Sequence, residues 1–533
     1  MKKSSSKPSR CRPLNTFYSE GVWATWLCYG VAATFYASLS AEVFRYGLFR
    51  GLWCDEIISI GILKQSFVET MQSAYSGYDG MLPAFYLLSW PVVALFPHYE
   101  YAARWLQIIP ALIAPLLIFW WLAKRTSLAS AAVAVMPMVW FFSQYTNLAW
   151  HLRSYGILLL ASAAAIILLD IAPQKRTRKW VALNAAAQLL LVSGQPFGIF
   201  YCGLLGVTRW VADIMEHGAI FEKKLMISYI PAFLGVAICM PAILASRELM
   251  EPIPWQPTTT LATLQTILLP GLGSLWPIVF IAAITTLLVS GRPNESPKSL
   301  TFPLYLTLIP GACLLGTLAV WGYSLHKPLY LDRYFSPNVW AWTIIIALAF
   351  WRLERLASGV SRLAALVCAF MFGLLICFHT LHPDGSASTK NRIELTHVLL
   401  QGTRDDEIVD TRFPVFLFDF NVFAERFHYN PKTLDYRAVF NVAEQPPNPV
   451  KSLVERRVAE GMVALGMNPE KLLTVNQAIE TAVQVGGANV LGVKRTDETV
   501  AFLEGLKIKG FVIDSRSLDI GGNALIWDVA RLP

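Results

Sequence analysis

Apolar runs of about twenty residues recur along this chain, and they restrict its fold more than any other feature. A helix needs roughly 20 apolar residues to cross the hydrocarbon core of a bilayer. Inside that core only a structure that pairs its own backbone N–H and C=O groups survives. The first run is Gly21–Ala41, and further ones cover 82–97, 102–122, 127–146, 152–172, 180–193, 197–215, 225–245, 270–290, 301–321, 337–351 and 361–381. Of 533 residues, 55% are hydrophobic and 15% charged, where a soluble domain carries about 25% charge. The expected fold is an all-α polytopic membrane domain over 21–382, preceded by a short polar tail over 1–20.

The formal charge of +8 does not point to nucleic acid, because the basic residues cluster in short loops between apolar runs, as cytoplasmic loops do. Lys2, Lys3, Lys7, Arg10 and Arg12 precede the first span and predict a cytoplasmic N-terminus. The run after them is too long for a signal-peptide core, so it is expected to be retained. The loop 42–80 then lies outside. Cytoplasmic positions are expected for Lys175-Arg176-Thr177-Arg178-Lys179, Lys223 with Lys224, Arg292 with Lys298, and Arg352, Arg355 and Arg362. Alternation fails by one before Lys175, so one candidate between 82 and 172 should not cross. The Ala-rich 127–146, with Pro137, is the expected exception, a re-entrant helix buried against protein. That leaves eleven crossings, with Lys124 and Arg125 on the outer side.

The residues after 382 differ in kind. Charges return, and Glu407–Asp410, Val415–Phe418, Asn489–Val493, Gly510–Ile513 and Ala524–Trp527 read as strands. A small α/β domain over 383–533 is expected on the outer side, with Glu444–Pro449 as a loop within it. Cys28, Cys202, Cys239, Cys313, Cys368 and Cys377 lie in apolar runs and no CxxC pair occurs, so neither a disulfide framework nor a zinc site is expected. His217, His379 and His397 lack partners at metal-ligand spacing, and no phosphate-binding glycine motif is present.

The candidate chemistry lies in the first outer loop. Trp53-Cys54-Asp55-Glu56 stands just after the first span, and Asp79 closes the loop ahead of Gly80-Met81-Leu82-Pro83-Ala84-Phe85-Tyr86. Ile57, Ile60, Leu63, Phe67 and Met71 predict short helices along the membrane surface, with the acid pair at an N-terminal end. A carboxylate there can take the proton of an attacking hydroxyl, or cap the helix. Adjacent side chains on a helix diverge by about 100°, so one acid would act and the other would position. Outward basic groups form a complementary set: Arg153 with His151, Arg247, His326-Lys327, and Arg333 within Asp332-Arg333-Tyr334. Such residues either snorkel to headgroups or hold a phosphate at the interface.

The order of these elements resembles the GT-C superfamily of membrane glycosyltransferases, in particular the bacterial branch that uses polyprenyl-phosphate sugars and includes protein O-mannosyltransferases and lipid A aminoarabinose transferases. Asp55-Glu56 resembles that branch's acid pair. Asp79 through Tyr86 is similar to its acid followed by His-Pro-Pro-Leu-Tyr-Tyr, with Met81 for the His and Leu82 for the first Pro. Glu100-Tyr101-Ala102-Ala103-Arg104 resembles its acid-to-Arg turn, and His151-Leu152-Arg153-Ser154-Tyr155 its Glu-Ala-Arg-Pro-Tyr element. Gln195 stands where relatives often carry His, and Asp332-Arg333-Tyr334 resembles the late Arg-Tyr element.

The resemblance implies a GT-C-like domain of about 11–13 helices, in a bacterial inner membrane. It also implies transfer of a sugar from a polyprenyl phosphate to an extracytoplasmic hydroxyl on a glycan, lipid or protein. Asp55 would be the base, Glu56 and Asp79 would orient substrates, and Arg333, Lys327, His326, Arg153, Arg247 and Tyr334 would hold the donor phosphate, with no metal required. A lipid-linked sugar carrier or flippase, or a non-catalytic envelope relative, would use the same residues without bond formation. Carriers place ionisable groups near mid-membrane and often show inverted repeats. Here the acids lie in an outer loop.

Overall fold

The computed structural model describes residues 22–49, 52, 54–77, 79–96, 99–141, 145, 148–218, 220–249, 304–326, 332–356, 359–381, 409–418, 434–439, 469–492, 497–520 and 523–532. The expected span 270–290 lies outside them. The helices are α1 Val22–Phe49, α2 Cys54–Leu63, α3 Phe67–Tyr75, α4 Pro83–Leu95, α5 Tyr99–Arg125, α6 Leu128–Phe141, α7 Tyr155–Leu169, α8 Arg178–Gly194, α9 Pro196–His217, α10 Lys223–Leu249, α11 Leu304–Ser324, α12 Asn338–Leu356 and α13 Gly359–Leu381. Among the described residues, five segments are long and apolar enough to cross a membrane: Val22–Phe44, Tyr101–Arg125, Pro196–His217, Lys223–Ser246 and Leu304–Ser324. The protein is an integral membrane protein with a helical bundle at its centre.

Polar contacts mark the two ends of the bundle. At one end Arg125 pairs with Asp170 at 2.5 Å, and Arg176 pairs with Asp213 at 2.7 Å and with Glu222 at 2.9 Å. There too Ser130 donates to Glu354 at 2.7 Å, and the Leu304 N–H donates to Glu216 at 2.5 Å. At the other end Glu56 accepts from the Leu152 N–H at 2.6 Å, and Ser246 donates to the Gly77 carbonyl at 3.3 Å. Helix α5 joins these ends, from Arg104 beside Glu56 to Arg125 beside Asp170.

Within this frame α4 stays at one end of the bundle, while α6 starts at the other, where Ser130 donates to Glu354. Helix α4 starts beside Asp79, to which Tyr86 donates, and α5 begins only four residues after α4 ends, with its Arg104 at the same end. Thus α4 begins and ends near the same end of the bundle. It lies on α2 and α3, with Trp90 donating to the Gln65 carbonyl at 3.1 Å and Phe67 edge-on to Trp90 at 5.3 Å. The alanines of α6 reflect its central position: Ala129, Ala131, Ala132 and Ala134 are buried as α6 packs on α1, α5 and α12. Small residues let helix backbones approach closely in lipid. Arg125 therefore sits at the end that carries Lys175 to Lys179.

Prolines inside spans leave carbonyls without their usual partner, and side chains make up the loss. Pro115 cannot donate to Ala111, whose carbonyl instead accepts from the buried Tyr145 hydroxyl at 2.5 Å. Helices α5 and α7 meet where α7 has no side chain: a Cβ on Gly156 would come 2.1 Å from the Gln107 carbonyl oxygen. Gly156→Val should therefore separate α5 from α7. A lower thermal midpoint in detergent is expected, with loss of a single peak on size-exclusion chromatography. Overpacking of this kind costs about 1–3 kcal/mol; an unchanged midpoint would refute the close approach.

The described C-terminal residues form one sheet and two helices, α14 Val475–Val485 and α15 Asp497–Ile508. The strands are β1 Val415–Leu417, β2 Tyr436–Val439, β3 Leu472–Leu473, β4 Gly487–Gly492, β5 Val512–Ile520 and β6 Asn523–Arg531, in spatial order β3-β2-β1-β4-β6-β5. The first four are parallel, while β6 runs antiparallel to β4 and β5. Four expected strands correspond to β1, β4, β5 and β6. The fifth does not form in its described part, where Val409 and Asp410 lead into a turn. Buried Asn489 pins that turn, donating to the carbonyls of Asp410 at 2.8 Å and Phe413 at 3.0 Å. The Glu444–Pro449 loop lies outside the described residues.

Candidate functional site

The candidate acids lie on α2 and on the turn that follows α3. Helix α2 opens at Cys54, so Asp55 and Glu56 occupy its first turn, where a helix dipole favours negative charge. Helix α3 begins at a capping box: the Ser66 hydroxyl accepts from the Glu69 N–H at 3.4 Å, and the Glu69 carboxylate accepts from the Ser66 N–H at 3.0 Å. The turn after α3 brings Asp79 back toward α2, where Ser59 donates to it at 2.6 Å.

Glu56 is fully buried. Its carboxylate accepts from the Leu152 N–H at 2.6 Å, and Arg104 stands 3.6 Å and His151 Nδ1 3.9 Å from it. His151 also stacks on Trp150 with ring centres 4.5 Å apart. Asp79 accepts from Ser59 and from the Tyr86 hydroxyl, and pairs with Arg153 at 2.7 Å. Burial, and then the Asp79 carboxylate, push the Tyr86 phenol well above its usual range, so it remains a proton donor in this bond. The same Arg153 nitrogen donates to the Asp79 carbonyl at 2.8 Å.

One stretch, His151 to Ser154, therefore holds both ends of the loop. Leu152 and His151 face Glu56, Arg153 holds Asp79, and Ser154 donates to the Met81 sulfur at 3.5 Å. Glu56 and Asp79 are engaged as acceptors with an arginine beside each. The backbone position of Asp55 is fixed by α2; its side chain, like that of Arg247, lies outside the described ones.

The basic residues expected to face these acids divide into two groups. Helix α10 ends against the Asp79 turn: Gly77 has φ +75°, and a Cβ there would lie 2.5 Å from the Ser246 nitrogen. The backbone of Arg247 thus adjoins the acid loop. Arg333 and Tyr334 lie in a single 3₁₀ turn, Asp332–Phe335, that leads into α12. Tyr334 stacks on Phe197 with centres 4.6 Å apart, Phe335 lies edge-on to Phe197 at 5.2 Å, and the Arg333 guanidinium is 5.6 Å from the Tyr334 ring. This turn docks on the start of α9, which Gln195 caps by accepting from the Phe197 N–H at 2.9 Å. His326 is exposed in the turn after α11, and Lys327 lies outside the described residues.

In the sequence Arg104, Leu152 and Ser154 stand out only as members of family-like motifs, and neither they nor Ser59 carry an expected role. Arg104 did leave a signal, an arginine just inside an apolar run. A backbone N–H such as that of Leu152 leaves none.

No family model matches the chain, and no curated protein matches it either. Solved structures do. ArnT from Cupriavidus metallidurans in the apo state aligns with a TM-score of 0.50 at 12% identity, covering 95% of this chain and 97% of that one. The same protein bound to undecaprenyl phosphate aligns at 0.49 and 12%, covering 95% and 98%. The Archaeoglobus fulgidus oligosaccharyltransferase in complex with zinc and sulfate aligns at 0.38 and 10%, covering 76% and 61%. The fold is thus similar to that of ArnT over 95% of this chain.

Proposed function

We propose that this protein is a membrane glycosyltransferase that moves a sugar from a polyprenyl phosphate to a hydroxyl acceptor outside the cytoplasm of a bacterial cell. The observation that carries this reading is the anchoring of the acid loop. Glu56 and Asp79 are both tied to residues 151–153, which fixes the first turn of α2, and Asp55 with it, at one end of the bundle. The ArnT-like fold supports it, as does a solved structure of ArnT bound to undecaprenyl phosphate.

In this mechanism the acceptor oxygen attacks the anomeric carbon as the bond to the phosphate oxygen breaks, inverting that centre. Asp55 takes the hydroxyl proton. The polyprenyl phosphate leaves with an added negative charge, which Arg333, with Lys327, His326 and Arg247, neutralises, and Tyr334 holds the turn that carries Arg333. Arg153 is engaged by Asp79, so it acts on the donor through the position of that loop. Glu56 orients α2 by way of Arg104 and Leu152.

The test is a deletion strain. Its envelope should lack one sugar residue from a glycan, lipid or protein by mass spectrometry, and the polyprenyl-phosphate sugar should accumulate. Restoring the gene should reverse both changes, and purified protein in nanodiscs should release free polyprenyl phosphate when donor and envelope acceptor are supplied. An unchanged envelope would defeat the reading, and a restored envelope without transfer by the purified protein would indicate a carrier.

A further inference from the structure

The two faces of the C-terminal sheet have different partners. On one, Phe416, Phe418, Val439, Ala488, Val490 and Ala530 pack with Ala478, Ala482, Phe502, Leu503 and Leu506 of α14 and α15. Side chains alternate along a strand, and the alternate set faces elsewhere. Val415 and Leu417 of β1, Tyr436 and Ala438 of β2 and Leu491 of β4 belong to a second apolar cluster. That cluster continues onto Ile57, Ile60, Ile62 and Leu63 of α2, and onto Met81 and Phe85 at the start of α4.

We infer that the C-terminal sheet is a positioning layer of the site, holding the apolar side of α2 so that Asp55 keeps its orientation. Helix α2 is ten residues long, too short to be stable alone in water. Its polar side is fixed by Glu56 to Leu152 and by Ser59 to Asp79. Its apolar side, Ile57, Ile60 and Leu63, is fixed by the shared cluster. Without the sheet that cluster would lose its strand side, and α2 would be held by α3, α4 and its two polar anchors alone. Conversely, a free tail would expose Val415, Leu417, Tyr436 and Leu491, each at most 1% exposed in the intact chain. The role given to Asp55 rests on the proposed transferase reading; the contact between sheet and loop does not.

The full-length protein with a protease site inserted between Asp384 and Lys390 separates these two claims. After purification in mild detergent and cutting, the two pieces should elute together on size-exclusion chromatography, and stay together in 1 M NaCl because the contact is apolar. Tyr436→Asp on the sheet and Ile60→Asp on α2 should each release the tail. The second variant leaves the tail sequence intact, and circular dichroism of the released piece shows whether it is still folded.

For transfer, cut wild-type protein should keep its rate, whereas protein that has lost the tail should lose at least tenfold in kcat with a donor KM within twofold of wild type. Release of the tail from cut wild-type protein, or its retention in both variants, would overturn the contact. Wild-type kcat in protein that has lost its tail would overturn the positioning role. Absence of transfer by the uncut wild-type protein would instead count against the transferase reading, and the retention result would stand.

Discussion

Asp55→Asn should leave the protein in the membrane at wild-type level and reduce sugar transfer about 100- to 10,000-fold, the range associated with loss of a positioned general base. The substitution keeps the shape of the side chain and removes its ability to take a proton. The first turn of α2 should persist, because Glu56 still accepts from Leu152 and Ser59 still donates to Asp79. The variant's thermal midpoint in detergent should therefore match that of wild type, while release of polyprenyl phosphate falls. The loss should appear in kcat, with donor KM little changed, since the basic residues assigned to the donor phosphate are untouched. Wild-type turnover by Asp55→Asn would remove Asp55 from the mechanism. A lowered midpoint would mean that its carboxylate serves as a helix cap.

Much of this architecture was legible in the chain because lipid leaves the backbone few choices. Apolar runs marked the spans, and the α2 and α3 hydrophobic spacing marked the surface helices. The surroundings of α6 were less legible. Alanine in α6 reports close neighbours on several sides, and only packing shows that. Long-range polar pairing was illegible for a similar reason. Arg176 stands in a basic run that reads as a solvated cytoplasmic loop, yet it is buried between Asp213 and Glu222 and lies 5.0 Å over the Trp180 ring. Its partners are 37 and 46 residues away. In the tail, β2 and β3 were missed: four and two residues long, they become strands by pairing with β1 and with each other. The sequence singles out the three acids and, through the resemblance, assigns Asp55 as base; what anchors Glu56 and Asp79 was illegible, since it depends on what Leu152, Arg104 and Arg153 touch.

That division predicts opposite behaviour for the other member of the acid pair. Arg104→Met should lower stability by about 3–5 kcal/mol, the usual consequence of leaving one partner of a buried ion pair behind. Glu56 is fully buried and Arg104 is 1% exposed, so water cannot replace the lost cation. His151 Nδ1 stands 3.9 Å from the other Glu56 oxygen. Glu56→Gln should be milder, because its amide oxygen can still accept from Leu152 while the buried charge disappears. The double variant, Arg104→Met with Glu56→Gln, should recover most of the stability that Arg104→Met loses, since no charge is then stranded. Thermal midpoints of all four proteins in one detergent give the coupling. An Arg104→Met protein as stable as wild type would show that the pair does not hold α2. Transfer adds a second axis. If Glu56 acts through the position of α2, the double variant should regain folding yet remain slow, because a neutral pair does not fix the first turn as the charged pair does. A double variant with both stability and rate restored would assign the pair to folding alone, leaving the sheet and the Ser59–Asp79 bond to orient Asp55.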